Sequence, residues 1–154
     1  MEKKVFIFLL LLFLSSCGYE AVYSKKNRVN YNFSISELNF IGNREINLKI
    51  KEKLNNYTLS QTDKNFELRI SSASDKLILV KDDAGDATNF KIRISVVVEV
   101  LKNSKLKNNF KIVESFDYNN NSNKFELKDY EKEIRSNLAN TVAEKLIFKL
   151  SNVQ

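Results

Sequence analysis

The apolar and polar positions of this chain change period several times along its length, and each change marks an element. Residues 5–14 are an unbroken apolar run behind the charged head Glu2-Lys3-Lys4. A run of about 10 residues would span only about 15 Å as a helix, whereas crossing a bilayer takes about 20, so it reads as a signal-peptide core and not as an anchor. Residues 18–30 show neither helical nor strand periodicity and read as a tether. From Tyr31 the pattern alternates through Phe33 and Ile35, then slips phase to Leu38 and Phe40. That predicts a first strand with an irregularity near Ser36 or Glu37. Gly42-Asn43 breaks it, and Asn43 is placed to cap a helix in which Ile46, Ile50 and Leu54 recur every fourth residue, with Leu48 and Tyr57 flanking.

Alternation returns at Phe66, Leu68 and Ile70, giving a second strand. It continues through small residues 71–74 and resumes at Leu77 and Leu79 in the opposite phase, which predicts a bulge or bend around Asp75-Lys76. If the first two strands are parallel, the helix between them is a right-handed crossover. Residues 81–87 carry three aspartates around Gly85, but the oxygen spacing of a calcium loop is missing, so a polar turn is expected. The strongest signal comes next in Phe90, Ile92, Ile94, Val96, Val98 and Val100, apolar without exception, with Lys91, Arg93, Ser95 and Glu99 on the alternate face. Residues 89–101 would extend roughly 43 Å as a strand.

The polar stretch 103–109 is expected to be a connection to an antiparallel fourth strand bearing Phe110, Ile112, Phe116 and Tyr118 on one side, with Glu114 the exception. Residues 119–123 read as an Asn-rich loop. The chain closes on a long helical pattern over residues 126–150, where Tyr130, Ile134, Leu138, Val142, Leu146 and Leu150 step by four and Ala139, Ala143 and Ile147 widen the stripe. The expected fold class is therefore α+β, a two-layer sandwich of a four-stranded mixed sheet with two helices packed on one face, in the order β-α-β-β-β-α.

The residues just past the opening apolar run change the picture. Leu14-Ser15-Ser16-Cys17 resembles the bacterial lipobox, in which a branched apolar residue and two small residues precede a cysteine that becomes diacylated on sulfur and, after cleavage, N-acylated. Cys17 is the single cysteine of the chain, at the one position the motif requires. The resemblance implies a signal peptide over residues 1–16, a lipidated tether over 17–30 and one domain over 31–152. It also implies a covalent N-acyl and S-diacylglycerol group on Cys17, palmitate among its chains, with no other cofactor. Three acyl chains hold a protein essentially permanently at a membrane. Gly18 stands where an aspartate would resemble an inner-membrane retention signal, so the expected address is the outer membrane, lipid-anchored on the periplasmic side.

Composition narrows the chemistry. Loss of Glu2, Lys3 and Lys4 with the signal would lower the 25 basic and 19 acidic residues to 23 and 18. The chain has no histidine, tryptophan or proline. Without histidine, Ser-His-Asp and Cys-His catalysis and the usual zinc sites are unavailable, so no catalytic or metal-ligating residues are assigned and an enzyme is not expected. The mild positive balance points to anionic lipid and not to nucleic acid at such an address. Lys91 and Arg93, two apart on one strand face, are candidate contacts to lipopolysaccharide phosphate, the guanidinium supplying the bidentate bond; ordinary charges on a wet sheet face are the plainer reading.

Three stretches, Cys17-Gly18-Tyr19-Glu20-Ala21-Val22-Tyr23, residues 87–96 and residues 116–150, resemble the lipopolysaccharide-assembly lipoprotein family LptE in an alphaproteobacterial-looking version. Ala21 stands where that family often has proline, and Asn89 where a basic residue is common. The resemblance implies a protein that plugs and helps assemble an LptD-like outer-membrane β-barrel and takes part in inserting lipopolysaccharide into the outer leaflet. Its partners would be that barrel, lipopolysaccharide and the inner leaflet of the outer membrane. The alternative is a periplasm-facing accessory lipoprotein that binds a barrel-assembly or peptidoglycan component and handles no lipopolysaccharide.

Overall fold

The computed structural model describes residues 32–59 and 62–153. The signal peptide, the tether and Cys17 lie outside the described residues. The elements run β1 (Ser34–Gly42), α1 (Arg44–Thr58), β2 (Asn65–Lys81), β3 (Ala87–Lys102), β4 (Lys105–Asn119) and α2 (Lys124–Ser151). They form one four-stranded sheet in the order β1-β2-β3-β4, with β1 parallel to β2 and the other two pairs antiparallel. The sheet is thus mixed, and α1 is the crossover that a parallel pair requires.

The core lies on one face of the sheet. Phe90, Ile92, Ile94, Val96, Val98 and Val100 of β3 are buried beneath Ile46, Ile50 and Leu54 of α1 and Ile134, Leu138, Val142, Leu146 and Leu150 of α2. Ala139 and Ala143 are buried within the same cluster, and α2 packs on α1, β3 and β4. Small residues on a helix stripe let neighbouring elements approach closely, which suits α2 to its central place. At the outer end of the cluster, the Phe33 ring stacks on Tyr57 with centroids 4.6 Å apart.

The phase slip in the first strand is a real irregularity. The β1–β2 register shifts between Ile35 and Glu37, so Ile35 faces the core before the slip and Leu38 and Phe40 pack against it after. At the far end Gly42, at φ +97°, lets β1 end against β2. Asn43 then donates its backbone N–H to the Ser72 carbonyl at 3.0 Å. Its side chain accepts from the Ile46 N–H at 3.1 Å, one of the free donors in the first turn of α1. Ser72 completes the junction by donating its hydroxyl to Asn47 Oδ1 at 2.6 Å. Replacing Asn43 by Ala is expected to cost about 1 kcal/mol in chemical denaturation, the usual loss for an N-cap.

Two expectations are corrected. The second strand does not bulge at Asp75-Lys76: β2 stays in register with β3 there, and its shifts fall between Ile78 and Lys81. The change of phase arises because Lys76 takes a core-side position, where its charge is matched, while Leu77 on the other face is exposed. Likewise, residues 103–109 are not all connection. The chain reverses in a two-residue turn, Asn103 at φ 52° and Ser104 at φ 60°, and β4 begins at Lys105. Positive φ at both positions is what a tight antiparallel hairpin requires, and Asn tolerates it well. Residues 105–109 resemble a loop in sequence because they are polar apart from Leu106, and all of them stay exposed.

Candidate functional site

Three arrangements could carry chemistry: the outer sheet face with Lys91 and Arg93, a buried polar cluster under α2, and two surface grooves. On the outer face, the long alternation of β3 places Lys91 and Arg93 side by side on the layer opposite the helices. Each stands directly across from a carboxylate of a neighbouring strand. Arg93 lies opposite Asp75 and donates to Asp75 Oδ2 at 3.0 Å; Lys91 lies opposite Asp117, with its ammonium 3.4 Å from Oδ1. Arg69 repeats the pattern with Glu99, 3.9 Å away. Opposite charges facing one another across a sheet support strand pairing. A phosphate at this face would therefore exchange with Asp75 and Asp117, not meet two free cations.

The buried cluster involves none of the candidate residues that the sequence singles out. Glu131, on the core side of α2, is only 8% exposed. Its Oε1 accepts from Lys76 at 2.5 Å and from the Tyr118 hydroxyl at 2.7 Å, while Arg135 donates to Oε2 at 3.4 Å. The Lys76 ammonium also sits 3.9 Å from the centroid of the Phe90 ring. Burial alone would raise the Glu131 pKa, yet the hydrogen bonds from Lys76 and Tyr118, with the Lys76 and Arg135 charges, outweigh it and hold the carboxyl below its ordinary value. Burial, then the hydrogen bond and charge of Glu131, push the Tyr118 phenol well above its own. The cluster ties β2, β4 and α2 together at one end of the core. One sequence signal points to it: Glu131 falls between Leu127 and Ile134 on the apolar stripe, whereas a strict count of four from Ile134 selects the more exposed Tyr130.

The grooves are shallow and differ in character. One, of about 470 Å³, lies on the outer face between Ile41 at the β1 edge and Val97 of β3, beside Arg69 and Glu99. The other, of about 780 Å³, follows β4 into the Asn-rich loop and is walled by Phe116, Asn120 and Tyr130. Neither gathers titratable groups around a reacting position. Among the described residues no group of three or more His, Cys, Asp or Glu could hold a metal ion. No described helix is long and apolar enough to cross a membrane.

An α+β sandwich of this order is a fold of bacterial lipoproteins. A minor lipoprotein of Acinetobacter baumannii has it with a TM-score of 0.59 at 12% identity, over 77% of this chain and 92% of that one. Rare lipoprotein B of Shewanella oneidensis matches with a TM-score of 0.55 at 17% identity, over 75% of this chain and 97% of that one. The uncharacterized lipoprotein B of Nitrosomonas europaea matches with a TM-score of 0.51 at 11% identity, over 77% and 86% of the two chains. At these identities the likeness is one of fold. No protein-family model matches the chain, and no curated protein matches it.

Proposed function

We propose that this protein is an outer-membrane lipoprotein, anchored on the periplasmic side by acylated Cys17, that seats in a β-barrel partner of the LptD kind and assists lipopolysaccharide insertion into the outer leaflet. The observation that carries the reading is the sharing of nearly the whole fold of rare lipoprotein B by a chain that opens on a lipobox, read together with the resemblance of residues 17–23, 87–96 and 116–150 to the LptE family. The surface suits the role. A wide barrel has a polar lumen, and the outer sheet face offers it charged pairs, with β1 and β4 as edge strands. On this reading the chain works by shape and contact and turns over no substrate. Lys91 and Arg93 serve it as lumen-facing cations that trade carboxylate for lipid phosphate.

The test is what accompanies the lipidated protein out of detergent-solubilised outer membrane. A large barrel in stoichiometric amount is the expected result. Recovery of the lipoprotein alone, or with a peptidoglycan or barrel-assembly component, would overturn the proposal. In the same preparation, lipopolysaccharide binding unchanged by Lys91→Glu/Arg93→Glu would remove those two residues from the role and leave the barrel partnership standing.

A further inference from the structure

The charges of this fold are sorted along the sheet. One end is the β2–β3 turn, where Asp82, Asp83, Asp86 and Glu126 outnumber Lys81 and Lys124, the last held by Asn120 beside Ala87 and Thr88. The other end gathers the start of β2, the Asn103–Ser104 turn and the end of α2. Lys102 Nζ donates to the Asp63 carbonyl at 3.2 Å and Lys64 Nζ to the Val153 carbonyl at 3.3 Å, which fastens these three segments to one another. Lys105 and Lys107 follow the turn, both exposed. None of these four lysines has a carboxylate partner among the described residues; the acidic residues of these segments are Asp63 and Glu67, and Glu99 further along β3 is taken by Arg69. Two apolar side chains stand out among them: Leu59 just past α1, 89% exposed, and Leu106 between Lys105 and Lys107, 59% exposed.

The first strand of the described residues begins at this same end. Ser34, the first residue of β1, pairs with Asn65, and its N–H bonds to the Lys64 carbonyl at 2.8 Å. The segment from residue 17 to residue 32 can span at most about 50 Å when fully extended, so the domain never drifts far from its anchor. We propose that the lysine end, with Leu59 and Leu106, docks on the anionic phospholipid surface into which Cys17 is acylated, and that the acidic β2–β3 turn points away from it. Lysines attract an anionic leaflet, exposed leucines enter its interfacial layer, and three aspartates at the opposite pole are repelled by it. The tether supplies proximity and the charge sorting supplies orientation. The inference rests on acylation of Cys17 but not on the identity of any protein partner.

The experiment uses the lipidated protein in nanodiscs of phosphatidylglycerol and phosphatidylcholine, or of phosphatidylcholine alone. Because Cys17 is the single cysteine and is acylated, a fluorophore can be placed at Ser104→Cys, or at Asp83→Cys as the opposite pole. Nitroxide lipids are expected to quench the Ser104 probe and spare the Asp83 probe, and only in the anionic disc. Removing charge with Lys105→Gln/Lys107→Gln should lower the docked-to-undocked ratio by about fivefold or more, and added salt should do the same. Equal quenching at both probes, or quenching indifferent to lipid charge, overturns docking while leaving the anchor intact. So does excimer emission between two chains labelled at Ser104, which would make a second copy the occupant. A mass for Cys17 without acyl groups sinks the anchor and the docking together.

Discussion

Gly42→Ala should destabilise the protein by roughly 2–4 kcal/mol, one of the two largest effects expected of a single substitution here. The Cβ it adds would lie 2.0 Å from the Ser72 carbonyl oxygen, an overlap with backbone that no side-chain rotation relieves. The position also holds φ at +97°, where an L side chain is strained even in open space. Relief requires β1 to lift from β2 where Asn43 bonds to Ser72, so the loss should be accompanied by fraying of the first turn of α1. Chemical denaturation gives the size of the effect, and hydrogen exchange at Ile46 and Asn47 locates it. Gly85 makes the matched control. Its φ is +88°, but nothing lies within 4 Å of an added Cβ, so Gly85→Ala should cost about 1 kcal/mol from backbone strain alone. Equal losses at the two glycines would refute close approach to Ser72 as the cause.

Glu131→Ala is the second. It would leave the Lys76 ammonium and the Tyr118 hydroxyl without the oxygen that both use, beneath a helix that shields much of the space around them. Breaking such a pair from one side costs about 3 kcal/mol, or about 10 °C in Tm for a domain of this size. Lys76→Met should cost far less, since Lys76 is more exposed and Glu131 keeps Tyr118 and Arg135. The combination Lys76→Met/Glu131→Leu should recover part of the single-site loss, because no unmatched charge remains.

The same cluster sets a pH range for stability. The Glu131 carboxyl titrates lower in the fold than its ordinary 4.5, so its contribution is present above about that pH and lost as pH falls through the folded value. The Tyr118 phenol moves the other way. Above its ordinary 10.0 the unfolded chain releases this proton first, and stability falls as pH rises. A plateau bounded on both sides is expected for the native protein, with Glu131→Gln flattening the acid limb. An acid limb unchanged by Glu131→Gln would assign it to other carboxylates.

How far the residues alone disclose this molecule depends on whether a structural choice is local. The six apolar positions of β3 settle a strand by themselves, and the every-fourth-residue stripes of Ile46, Ile50 and Leu54 and of Ile134 to Leu150 settle two helices. The irregularity at Ser36 and the cap at Asn43 are local too, and both are where the pattern puts them. The phase of β2 misleads because Lys76 occupies a core-side position, which becomes intelligible only once Glu131, 55 residues away, is brought beneath it. The carboxylates opposite Lys91 and Arg93 depend in the same way on strand register. Asp117 and Asp75 are unremarkable acids until β4 and β2 flank β3. Strand order is likewise a property of pairings between distant segments, which periodicity does not carry.

The unequal lengths of β1 and β2 have a consequence of their own. Pairing with β1 stops at Ser72, whereas β2 continues to Lys81, so over residues 73–81 it forms a rim with no further strand beside it among the described residues. Leu77, Ile78, Leu79 and Val80, four greasy side chains in succession, stand exposed on that rim. A regular rim of this kind would invite accretion of foreign chains end on end. The paired dislocations between Ile78 and Lys81 disrupt the even spacing of amide donors that such accretion needs, which makes this oily border a poorer template for fibres.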